Sequence, residues 1–139
     1  MRYRLFGLAF FLCASLLLRG QDSGERMRLA EAQHEIVMLL IEKGEFDKVL
    51  SATQVILDLK FPADQEHLVL VEIQMLTDAL THHKQITIAH QIVDAAFECV
   101  TTDKSKAQLH REKGYLYKQE GKAEEALQSF EKSKELEKK

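Results

Sequence analysis

Six histidines, two cysteines and 22 acidic side chains are the raw material for any chemistry in this chain. His83 and His90 lie seven apart on a segment of helical periodicity, and Asp94 continues the same line, so a metal ion bound across two turns is one arrangement to weigh. Ligand pairs on one helix sit three or four residues apart, however, and His82 and His83 fall where a turn is needed. The expectation is that no metal is held. Glu31, Glu35, Asp47, Glu66 and Glu72 could supply carboxylates for acid–base work, but nothing brings two of them together with a nucleophile, and they read as solvated faces. The sequence contains no phosphate-cradling glycine loop, nucleophile elbow, His-Glu-x-x-His helix or Cys-x-x-Cys pair. Neither catalysis nor a cofactor is expected.

The elements that carry these residues are helices. Hydrophobic residues make up 45% of the 139 positions and charged residues 29%, a balance that supports one packed core and excludes intrinsic disorder. One proline, six glycines and no asparagine leave little turn chemistry, while Ala, Leu, Glu, Lys and Gln are plentiful; an all-α protein follows. The net charge of −3 includes Arg2, Arg4 and Arg19 at the start, and without them 16 basic residues face 22 acidic ones. Such a balance argues against nucleic acid as a partner. Lys132 to Lys139, interrupted by Glu135 and Glu137, reads as a solvated helix face.

Arg2 and Arg4 precede an apolar run from Leu5 to Leu18, which Arg19 ends before the polar stretch Gln21 to Glu25. Fourteen helical residues span only about 21 Å, short of a hydrocarbon core of roughly 30 Å. Residues 1–20 are therefore expected to be a signal peptide, 21–26 a polar linker and 27–139 the folded domain, in an exported protein, periplasmic or secreted. Leu18 is bulky for a position just ahead of a cut after Gly20, so the alternative is an uncleaved anchor, with membrane contact only through residues 5–18. Cys13 follows Phe10, Phe11 and Leu12, which does not suit lipidation, and it reads as an apolar member of the leader. Cys99 would then be alone in the processed chain, leaving stability to packing.

From Met27 onward the periodicity and its interruptions predict six helices in three antiparallel hairpins: 27–43 with 45–60, 64–81 with 84–100, and 105–120 with 122–137. Gly44, the pair His82 and His83, and Gly121 supply the turns, while Pro62 and the run Thr101, Thr102, Asp103 separate the hairpins. Apolar stripes are expected along Phe46, Val49, Leu50, Thr53, Ile56 and Leu57, along Ala89, Ile92, Val93, Ala96, Phe97 and Val100, and along Ala123, Ala126, Leu127, Phe130, Ser133 and Leu136. A lone hairpin barely offsets its ordering entropy, so neighbouring hairpins must share a core.

The turns stand about 38 residues apart, within the spacing of α-solenoids. In the third unit Gly114, Tyr117, Gly121, Ala126 and Phe130 match the order and spacing of the tetratricopeptide repeat, and that unit resembles the family closely. Gly44, Leu59 and Pro62 extend the resemblance to the first unit, where Val49 and Thr53 replace the usual Ala and aromatic; the second unit joins on periodicity alone. The resemblance implies three stacked hairpins in an α-α superhelix and a scaffold or adaptor that binds a protein or peptide on the inner face of its first helices. On that analogy His34, Met38, Ile41, Glu72, Met75, Arg111, Tyr115 and Lys118 line the groove, with Tyr115 and Arg111 foremost because each buries much surface and keeps a polar handle. The absence of asparagine speaks against the Lys/Asn clamp by which some relatives hold a C-terminal carboxylate. Self-association through an uncapped end is also expected.

Overall fold

A computed structural model describes the backbone of residues 6–139 and the side chains of residues 23–139. Six α-helices follow one another: α1 (Phe6–Glu42), α2 (Val49–Leu57), α3 (Glu66–His82), α4 (Ile86–Phe97), α5 (Asp103–Gln119) and α6 (Ala123–Glu137). Short 3₁₀ turns, Phe46–Lys48 and Ala63–Gln65, lead into α2 and α3. No strand occurs among the described residues. Helix α1 runs through 21–26, the stretch expected to be a polar linker. The side chains of the expected leader, 1–20, lie outside the described residues.

The hairpins are set by one turn used three times. After α1 the N–H of Gly44 bonds to the carbonyl of Ile41 at 3.0 Å and that of Glu45 to Leu40 at 2.9 Å; after α5 Gly121 bonds to Lys118 and Lys122 to Tyr117 in the same pattern. Both glycines have positive φ, +73° and +75°, the left-handed conformation that closes a helix with these paired bonds. The middle turn repeats the pattern at Lys84, which bonds to Thr81 while Gln85 bonds to Leu80, and Lys84 holds a φ of +59°. The turn assigned to His82 and His83 is thus centred one residue later, on a lysine forced into a conformation that suits glycine.

Placing Lys84 beside Gly44 and Gly121 brings the three units into register. Seven residues before each turn stand Val37, Thr77 and Gly114; five after it, Val49, Ala89 and Ala126; twelve after it, Ile56, Ala96 and Ser133; all nine are buried. Thr53, where the third unit has Phe130, satisfies its buried hydroxyl by donating to the Val49 carbonyl at 2.8 Å. In the third unit a Cβ at Gly114 would lie 2.7 to 2.9 Å from three ring carbons of Phe130. Glycine there lets α5 and α6 close on each other across the aromatic ring.

Each helix except α6 packs on its hairpin partner and on the neighbouring hairpin. α1 meets α2 and α3, α3 meets α4 and α5, α2 meets α4, and α4 meets α5. The first helices α1, α3 and α5 therefore lie in sequence along one side. One core joins Val37, Ile41, Ile56, Ile73, Leu76, Leu80, Ile92, Val93, Leu109 and Leu116, all nearly or wholly shielded from solvent. The stripe on α6 departs from expectation: Ala126, Ser129 and Ser133 are buried, but Leu127 is 58% exposed and Ala123 is exposed too. α6 has only α5 to lean on, so a narrow stripe suffices to cover it. At the other end the outer side of α1 leaves Leu29, Ile36 and Leu39 about half exposed.

Candidate functional site

Three polar clusters sit between the helices. The first joins α3 to the start of α5. Glu66, in the first turn of α3 and only 2% exposed, accepts from the Thr101 amide at 2.6 Å and hydroxyl at 2.7 Å through Oε1, and from the Thr102 hydroxyl at 2.8 Å and amide at 3.3 Å through Oε2. Burial pushes the carboxyl up, but bonds from Ser105, Thr101 and Thr102 outweigh it and hold it at about 2. Thr102 is also the N-cap of α5, its oxygen accepting from the Ser105 amide at 3.1 Å. Glu66 was expected on a solvated face. It is a buried clasp, because the threonine linker after α4 returns to the start of α3 once the helices pack.

The second cluster lies on the side formed by the first helices. His34 of α1 and Glu72 of α3, expected as exposed groove residues, are buried against each other, Nδ1 to Oε2 at 2.6 Å. Burial raises the Glu72 carboxyl; His34 opposes the rise, and Glu31 and Glu35 add to it. One interface further along, Glu112 of α5 is 8% exposed, its carboxyl pushed up by burial and then by Asp78 of α3, with Arg111 acting weakly against them. Ile41 is buried and Met38 half-buried. Val71, Met75 and Tyr115 stay about half exposed. The Tyr115 ring meets Phe130 edge-on at 5.2 Å, Arg111 is ion-paired to Glu137 of α6, and Lys118 is exposed.

The third cluster spans α4, α5 and the last turn. His90 Nε2 lies 2.9 Å from Glu120 Oε2, and its ring packs 4.6 Å from that of Tyr117, which Lys113 and Lys122 flank at 5.9 Å. Tyr117 thus reaches from α5 onto the second hairpin. Asp94 pairs with Lys113, and His83 lies among the rings of Phe46 and His82. The His90, Tyr117 and Asp94 contacts border a cavity of about 320 Å³ reaching Thr87 and Gln91. No group of three or more His, Cys, Asp or Glu side chains among the described residues could hold a metal ion.

Of the residues expected to bind a partner, Tyr115, Arg111 and Lys118 share α5, Met38 is partly covered on α1, and His34 is inside. Glu112 escaped the sequence reading, since an acid one position from Arg111 looks like any charged helix face. Cys99 is half-buried, its thiol pushed up by burial and by Asp58 and Glu98. Among the described residues no helix is long and apolar enough to cross a membrane. Comparison with protein-family models, with curated proteins and with solved structures yields no significant match.

Proposed function

We propose that this chain is an exported, tetratricopeptide-like scaffold whose three hairpins form an α-α superhelix and bind a protein or peptide partner on the inner face of α1, α3 and α5. The observation that carries the reading is that face itself: Val71, Met75 and Tyr115 keep about half their surface in solvent on helices that lie side by side. Tyr115 can bury much surface with only two torsions to fix and Met75 can adapt its shape to what it meets, which suits them to partner contact. The Gly114–Phe130 contact and the threefold turn support the repeat assignment. Export draws support from the basic, apolar and polar succession of residues 1–25. Leu18, poorly suited to a cleavage site, favours a second reading in which 5–18 persist as an anchor for a membrane-tethered assembly protein. Intact mass of the chain expressed with its leader separates the two.

A pull-down with the processed chain, followed by titration of the purified partner, tests the binding role. Tyr115→Ala should weaken that partner about tenfold, the effect of one well-placed contact of about 1.4 kcal/mol. Equal affinity for wild type, Tyr115→Ala and Met75→Ala would remove this face from the function.

A further inference from the structure

We propose that the outer side of α1 is a self-association surface, on which a second copy of this chain lays its own α1 antiparallel about a two-fold axis level with residue 34. This surface is distinct from the face of Val71, Met75 and Tyr115 on α3 and α5. Across α1 from Ala30, Val37 and Ile41, which are buried in the core, run Glu25, Leu29, Ala32, Ile36, Leu39 and Lys43, all exposed. Leu29, Ile36 and Leu39 each keep about half their surface in solvent, so the middle of the row is apolar on a helix that packs chiefly on α2 and α3. Steps of four, three, four, three and four residues separate the six, the alternation by which one helix holds a seam against another.

The row is complementary to itself. Turned end for end about residue 34, it sets Leu29 against Leu39 of the second copy and Ala32 against Ile36, while Glu25 at one end meets Lys43 at the other, twice over. Beside the seam Arg28 comes level with Glu42 of the second copy in the same way, and only Glu35, close to the axis, meets its like. A surface that carries its own counter-charges in reversed order fits a second copy through a closed two-fold contact. Parallel pairing would instead bring Glu25 to Glu25 and Lys43 to Lys43. Next to Leu29 a cavity of about 150 Å³, lined by Glu25, Arg26, Leu29 and Leu59, leaves room for the methylene stem of the Lys43 that reaches Glu25. Helix α6 offers no counterpart for head-to-tail growth, since its exposed Leu127 stands among exposed Glu124, Glu131 and Lys134. A contact one helix wide and about 27 Å long is small against the roughly 1,200–2,000 Å² that stable complexes bury, so the dimer should dissociate on dilution.

The test is sedimentation equilibrium from about 10 µM to about 1 mM at low ionic strength, on the chain as recovered from cells expressing the full sequence. A reversible monomer–dimer equilibrium is expected. Ile36→Glu should abolish it while helical circular dichroism and melting temperature stay unchanged, since the side chain it replaces is half exposed. Glu25→Lys and Lys43→Glu should each weaken dimerisation about fivefold to tenfold, because each turns two attractions into repulsions, and both together in one chain should restore the wild-type constant to within about twofold. Glu35→Gln should tighten the dimer. Where Ile36→Glu unfolds the chain, the charge swap decides alone. A monomer at every concentration, a dimer indifferent to a folded Ile36→Glu, single reversals that the double variant fails to restore, or growth beyond the dimer would each overturn the proposal.

Discussion

Replacing Glu66 by glutamine should loosen the joint between the second and third hairpins, and the size of the effect can be worked from the structure. The wild-type carboxylate receives two amides and two hydroxyls from Thr101 and Thr102. A glutamine offers one acceptor oxygen and turns an NH₂ toward groups that are themselves donors. A carboxyl held at about 2 instead of its ordinary 4.5 ties about 3 kcal/mol of folding free energy to its ionisation, so Glu66→Gln should lose about 2–3 kcal/mol at neutral pH. The direction with pH follows from the depressed folded value. The contribution is complete above about 4.5, where folded and unfolded chains are both ionised. As pH falls the unfolded chain takes up its proton first, and the advantage drains away until the folded carboxyl titrates near 2. Urea titrations followed by helical circular dichroism, on wild type and variant at pH 7 and pH 3, would read the difference. Subtracting one protein from the other cancels the remaining carboxyls, and the gap should shrink by more than half at pH 3. A gap below about 0.5 kcal/mol at pH 7, or one of equal size at both pH values, would refute the reasoning, since surface changes rarely exceed that size.

Two further perturbations address the repeat geometry. Gly114→Ala places a methyl against the Phe130 ring at less than 3 Å and should lower stability by about 1–3 kcal/mol in chemical denaturation, with Phe130→Leu in the same chain restoring part of the loss. Lys84→Gly relieves the left-handed strain of the middle turn and should raise stability by about 0.5–1 kcal/mol; the same change at Lys122, beside a turn already supplied with glycine, should bring no gain.

Much of the fold is legible in the residues because periodicity is a local property. The stripes on α2 and α4 follow from spacing, as do the turns at Gly44 and Gly121, whose residue type announces the conformation. The middle turn was misplaced because Lys84 carries no such signal; tertiary packing of α3 on α4 holds a lysine where propensity alone would choose glycine. Leu127 was misjudged for a related reason: an apolar residue beside a stripe is buried only if a neighbour covers it, and among the described helices α6 packs mainly on α5, on its other side.

The candidate site was less legible than the fold. Sequence distinguishes a carboxylate from a leucine but not one carboxylate from another, and Glu31, Glu66, Glu72 and Glu112 all read as charges on amphipathic helices. Separation in the chain hides what they meet, 35 residues from Glu66 to Thr101 and 38 from His34 to Glu72. The sequence by itself determined that the chain is helical, where most helices begin and end, and which stripes turn inward. Only tertiary packing decided that Glu66 is clasped, that Glu72 is matched by a histidine and that Glu112 is largely covered, because desolvation and pairing depend on what other helices bring to the spot.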